Sequence, residues 1–360
     1  MFKETDKSGK WILTTLIGLL VCLVVYGGMI VYIDPFFHYH APIEGIAYSL
    51  ERDNERYQNA GILEHFTYDS IIIGTSLTEN FKASEWEALT GEKTVKTSLA
   101  GGTYKEMNDH LKIAFSSDNE IKSVIRCLDI ECLDYDKDAM MEDYIFPTYM
   151  TNENLFDDVS YIFNKDVMKW AIKALENTSK GYPMTSFDKY ANWMEQTYYG
   201  REYVLLTYQV GEPAEVEREM TSEDIIRIKE NVRQNVTELI EAHPETTFYL
   251  FFPPYSMCYW DEIVNKGELS YWFKAEKLAV EELLKYSNIK LYSFENNFEV
   301  ACNIDNYNDT VHYGEWINTD ILEWLAAGEY QLTEDNYMEY FEEMEAFLRG
   351  YDYTIFRWED

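Results

Sequence analysis

Ser76 and, far from it in the chain, the close pair Asp309 and His312 carry the groups of nucleophilic acyl chemistry. A serine hydroxyl is a poor nucleophile at its own pKa, so it needs a base within hydrogen-bond reach and a group that orients the base. Two residues separate Asp309 from His312, a spacing at which the carboxylate holds one imidazole nitrogen while the other faces a hydroxyl. Ser76 stands in Asp69-Ser70-Ile71-Ile72-Ile73-Gly74-Thr75-Ser76-Leu77-Thr78-Glu79-Asn80, where an apolar β-branched run stops at Gly-Thr-Ser and helix-favouring residues follow. That pattern reads as a buried strand, a sharp turn and a helix start, with orphan backbone N–H groups at the turn. A structural reading competes, because Ser76 and Glu79 also fit an S-x-x-E capping box.

The elements that must position these residues alternate. After the first strand, a helix is expected over 77–89, a second strand over 93–99 ending in Ala100-Gly101-Gly102-Thr103, a helix to about 116 and a third strand over 121–130. Residues 132–219 break the alternation and read as an insertion, with Pro147, Pro183 and Gly200 as breaks and helical spacing over 155–175. Thr221 and Asp224 form a capping box for a helix whose apolar face runs from Ile225 to Ile240. Strands over 246–252 and 289–294 flank a helix over 271–286, and a last helix runs over 315–325. This order predicts an α/β fold, a doubly wound parallel sheet of about five strands, with Ser76 and the Asp309–His312 loop on its carboxyl edge.

Composition bounds the rest. With 46% hydrophobic residues in 360, a sizeable core is available, while a net charge of −35 opposes binding to nucleic acid or anionic surfaces. Trp11 to Ile33 is a run of 23 residues without a charge, long enough to cross a hydrocarbon core of about 30 Å. Lys3, Lys7 and Lys10 precede it and Asp34 follows, which predicts a signal anchor with a cytoplasmic N-terminus rather than a cleaved signal peptide. The expected organisation is a tail over 1–10, the anchor over 11–33, a solvated linker over 34–68, the α/β domain over 69–330, and an acidic aromatic tail over 331–360 with a helix over 337–348. Arg56 or Asn59 in the linker has a second reading, packing at the mouth of the site. Cys127, Cys132, Cys258 and Cys302 read as free thiols, and neither a cofactor nor a metal site is implied. The sequons at Asn177, Asn235 and Asn308 carry no weight by themselves.

On the G-x-S turn after the first strand and the D-x-x-H near the C-terminus, the chain resembles the SGNH (GDSL-type) hydrolase superfamily over about 69–325, leaving the insertion aside. The resemblance implies a flavodoxin-like fold, with Ser76 as nucleophile, His312 as base then acid, and Asp309 as the orienting carboxylate. It implies an oxyanion hole formed by Ser76 N–H and the backbone of Gly102 or Gly101; Glu131 and Tyr255, ending the third and fourth strands, are taken as substrate-binding candidates. One departure stands out: Leu128-Asp129-Ile130-Glu131 replaces the family's G-x-N-D block, so the asparagine that completes the hole is missing. The single anchor before such a domain is similar to the extracytoplasmic partners of surface-polymer acylation, which work beside a multi-span acyltransferase. That likeness implies an acylated cell-envelope glycan as substrate, and the charge favours a neutral or zwitterionic glycan over a polyphosphate. A catalytically silent glycan-binding or scaffold subunit is the alternative.

Overall fold

The computed structural model describes residues 3–141, 148–150, 154 and 156–357. Pro147 and the last three residues of the tail lie outside the described residues. In chain order the helices are α1 Lys3–Ile33, α2 Glu55–His65, α3 Ala83–Thr90, α4 Tyr104–Ser116, α5 Val159–Ile162, α6 Lys165–Ser179, α7 Arg201–Thr207, α8 Ser222–Val232, α9 Glu238–Ala242, α10 Met257–Asn265, α11 Leu269–Leu283, α12 Phe298–Ala301, α13 Glu315–Ala327 and α14 Tyr337–Gly350. The strands are β1 Ser70–Ile73, β2 Thr94–Lys96, β3 Ser123–Cys127, β4 Thr247–Phe252, β5 Ile289–Ser293 and β6 Gln331–Leu332.

The six strands of the described residues form one sheet in the order β2-β1-β3-β4-β5-β6. The first five are parallel, and β6 pairs antiparallel with β5. Periodicity could reach five strands only; the sixth is two residues from the start of the expected tail, too short to leave a pattern. Every residue of β1 and β3 is buried, as expected of parallel strands covered on both faces. Helices α3 and α13 pack together, while α4, α8 and α11 pack around the π-helical turn Arg233–Thr237. Right-handed crossovers assign these two groups to opposite faces. The chain reverses direction across the sheet between β1 and β3, so the crevice at their carboxyl ends is the topological switch point, the usual ligand position in open α/β sheets.

Two compact units divide the chain: residues 1–50, 56–66 and 146–185 form one, and 51–55, 67–145 and 186–360 form the other, which contains the whole sheet. The first unit holds α1, of which residues 8–33 are long and apolar enough to cross a membrane and are exposed over most of their length. The segment 51–59 is not a solvated spacer. It folds as the 3₁₀ turn Arg52–Asn54 followed by α2, and Asn54, Glu55, Arg56, Gln58 and Asn59 are buried.

Candidate active site

Ser76 owes its place to Gly74. A Cβ there would overlap Thr78 Cγ2 and come within 2.8 Å of Cys127 Cβ, so only glycine lets the chain turn this close to β3. The expected helix from residue 77 starts later: Ser76–Thr78 is one 3₁₀ turn and α3 begins at Ala83. Thr75, not Ser76, caps the turn, its hydroxyl accepting from Leu77 N–H at 3.4 Å. The capping-box reading therefore fails, because Glu79 turns away to meet Arg52 Nε at 3.0 Å. Ser76 Oγ is left for another partner, and lies 2.8 Å from His312 Nε2. Asn318 Nδ2 donates to Leu77 O at 3.0 Å and ties the turn to α13.

The opposite wall is the loop between β5 and α13. Tyr307 OH donates to Pro254 O at 2.7 Å and Ser256 Oγ to Thr310 O at 2.6 Å, which pins this loop to the end of β4. Asp309 accepts three bonds: His312 Nδ1–H at 2.7 Å on Oδ2, and the backbone N–H groups of His312 and Val311 at 2.7 and 2.8 Å on Oδ1. Burial works to raise the Asp309 pKa, but the imidazole and these N–H donors outweigh it and hold the carboxyl below its ordinary value. Burial likewise opposes charge on His312, yet the bond and charge of Asp309, helped by Asp129 and Glu79, raise its pKa above the usual 6.5. Trp193, from the expected insertion, meets the imidazole edge-on at 5.6 Å between centroids, and its backbone N–H donates to Asn80 Oδ1 at 3.1 Å.

Two further layers surround these three side chains. Asp129, the first residue past Leu128 at the end of β3, accepts from the hydroxyls of Thr75 and Tyr255. Burial raises its pKa against the pull of both hydroxyls and of His312. Tyr255 is therefore not a substrate-facing side chain: it is 1% exposed and its hydroxyl is spent on Asp129. Glu131 lies on the exposed side, with Tyr259 OH 3.5 Å from Oε1. In the loop after β2, Gly102 N–H closes a turn onto Leu99 O at 2.8 Å, and a Cβ there would strike that residue. Gly101, at φ +60°, and Ser76 have backbone N–H groups with no acceptor among the described residues.

Behind this loop sits a pair of buried carboxyls that the sequence did not announce. Glu55 Oε2 accepts from Ala100 N–H at 2.8 Å, and Glu55 shares a hydrogen bond with Glu79. Burial first, then the neighbouring Glu79, raise the Glu55 pKa well above normal. Lys96, wholly buried at the end of β2, donates to the carbonyls of Glu79 and Phe81, and burial pushes its pKa down to about 7. Neither Glu55 nor Trp193 carries a local signal: Glu55 sits in a charged run indistinguishable from a solvated face, and Trp193 in a region without periodicity. Among the described residues no group of three or more His, Cys, Asp or Glu side chains is placed to hold a metal ion.

No protein-family model matches the sequence, and no curated protein matches it either. Among solved structures the chain is similar to a Streptococcus pneumonia protein provisionally described as a platelet activating factor, with a TM-score of 0.39 and 9% identity over 77% of this chain and 90% of that one.

Proposed function

We propose that the chain is an extracytoplasmic serine acylesterase or O-acyltransferase, anchored by α1 with its N-terminus in the cytoplasm, acting on acylated cell-envelope glycan. The observation that carries the reading is the relay from Ser76 Oγ to His312 Nε2 at 2.8 Å and from His312 Nδ1 to Asp309 Oδ2 at 2.7 Å. In this reading His312 takes the proton as Ser76 Oγ attacks the ester carbonyl. The oxyanion is met by the backbone N–H groups of Ser76 and Gly101, and collapse expels the alcohol with that same proton. Water or a sugar hydroxyl then attacks the acyl-Ser76 ester by the reverse steps, giving hydrolysis or transfer. Asp129, an acceptor when ionised, offers no third donor, and a missing donor costs about 10²–10³ in rate, so turnover of simple esters is expected to be slow. A neutral glycan suits a domain of this charge, and a multi-span membrane acyltransferase is the partner this arrangement would serve.

The test is intact mass of the full-length protein after exposure to a fluorophosphonate and, separately, to acetylated glycan. An adduct that disappears in Ser76→Ala and in His312→Ala supports the reading. Unchanged labelling in both variants overturns it, and glycan binding that survives Ser76→Ala with no acyl turnover on any substrate favours a silent glycan-binding subunit instead.

A further inference from the structure

Helix α6 has two faces that its own unit does not use in the same way. Val167, Ala171 and Ala174 are buried, whereas Met168, Ile172 and Leu175 are 37, 46 and 44% exposed and recur at i, i+4 and i+7. Beside this apolar stripe the helix turns a second exposed stripe to solvent, formed by Lys165, Lys169, Lys173 and Lys180, with Glu176 the acid inside it and Asp166 at its margin in the first turn. Sixty-five acids against thirty bases in the whole chain make such a cluster of lysines exceptional.

The apolar stripe continues onto α1 within the same unit. Phe163, 53% exposed, stacks on Tyr26 at 5.6 Å between centroids, and Ile162 Cγ2 would lie 3.6 Å from a Cβ on Gly27. At 1.5 Å per residue, Tyr26 stands about 22 Å along the helix from Trp11, the first residue of the uncharged run. A hydrocarbon core of about 30 Å measured from Trp11 therefore still encloses the level of Phe163. An apolar face joined to a spanning helix at that depth and flanked by lysines has the form of an interfacial helix, whose long basic side chains reach headgroups while its apolar side chains enter the acyl boundary.

We propose that α5 and α6 form a second membrane contact, with Met168, Ile172 and Leu175 immersed at the acyl boundary and Lys165, Lys169, Lys173 and Lys180 on acidic lipid headgroups. The net charge of the chain opposes such a surface at long range; the four lysines supply the local attraction to anionic headgroups. This contact rests on α1 spanning the bilayer.

The test uses the full-length chain with Cys22→Ser and Cys302→Ser, an environment-sensitive fluorophore on Ile172→Cys, and a control on Glu230→Cys in α8. Both are reconstituted in phosphatidylcholine vesicles with and without phosphatidylglycerol. The expected result is a blue-shifted emission at 172, quenched by shallow doxyl-labelled lipid and shielded from iodide, with the reverse at 230. Phosphatidylglycerol should strengthen the shielding, and replacing the four lysines by glutamine should abolish that gain. Iodide access at 172 equal to that at 230, in protein that stays with carbonate-washed vesicles, overturns the proposal. Protein that washes off shows instead that the anchor has failed, which overturns both. Shielding in native membranes but not in lipid vesicles transfers the surface to a protein partner and overturns the lipid assignment, and shielding indifferent to phosphatidylglycerol overturns the headgroup part.

Discussion

Three carboxylates raise the imidazole pKa of His312, Asp309 through its bond to Nδ1 and its charge, Asp129 and Glu79 through charge alone. A general base must be neutral, so in the proposed reaction the acid limb of the pH–rate profile lies above the ordinary histidine value, with activity rising as pH passes through it. Asp309→Asn should move that limb to lower pH and cut turnover by about 10³–10⁴, because the ring loses its fixed tautomer. Asp129→Asn should move the limb in the same direction at far smaller cost in rate, because it removes a charge and leaves the Asp309 bond in place. A pH–rate profile of each variant separates the two roles; an unmoved limb in both would mean that His312 is not the titrating base. Gly74→Ala is expected to cost about 1–3 kcal/mol in urea unfolding and to displace Ser76 from His312, since the added methyl meets two short side chains with no room to yield.

Three elements meet at the site, and each is held by a device outside the reacting residues. The β1 turn is tied to α13 by Asn318, the β5 loop to the end of β4 by Tyr307 and Ser256, and the β2 loop to the segment 51–55 by Glu55. The raised Glu55 pKa keeps a proton on that carboxyl beside Glu79, and Glu55→Gln keeps a donor there without needing one. Glu55→Gln should therefore retain turnover, whereas Glu55→Ala, which leaves Ala100 N–H without its acceptor and opens a gap beside Glu79, should cost about 2–4 kcal/mol in urea unfolding and lower turnover. Equal loss in both variants would show that the carboxyl itself, not its bond to Glu79, is required.

Across the sheet-bearing unit, a second carboxyl pair repeats this arrangement. Glu276 and Glu295 are fully buried beside Tyr340 of α14, whose hydroxyl donates to Glu295 at 2.8 Å, and burial raises the Glu295 pKa from 4.5 to about 7. A carboxyl whose folded pKa is raised stabilises fully below its unfolded pKa and loses that contribution as pH rises through the folded one. The urea midpoint should thus fall between pH 4.5 and 7, a fall that Glu295→Gln flattens. Repulsion within a chain of net charge −35 acts in the same direction but is screened, so added salt should recover only the surface share. A midpoint constant over this range at high salt would rule out the buried pairs as its cause.

Local patterning in the sequence was enough to place five parallel strands, the capped start of α8 at Thr221 and Asp224, the apolar run of α1 and the turn at Gly74 that ends β1, because each depends on residues a few positions apart. Which partner Ser76 takes was not decided there. Thr75 and Ser76 are equally able to cap the turn, and only the approach of a loop 236 residues away leaves Ser76 facing an imidazole. Burial of Glu55, the spending of the Tyr255 hydroxyl on Asp129 and the edge of Trp193 on His312 belong to the same class, as does the two-residue β6, which exists only because β5 offers it an edge. Charge and polarity in a sequence say what a side chain can do; the desolvation and the neighbours that settle what it does come from segments the chain brings together only on folding.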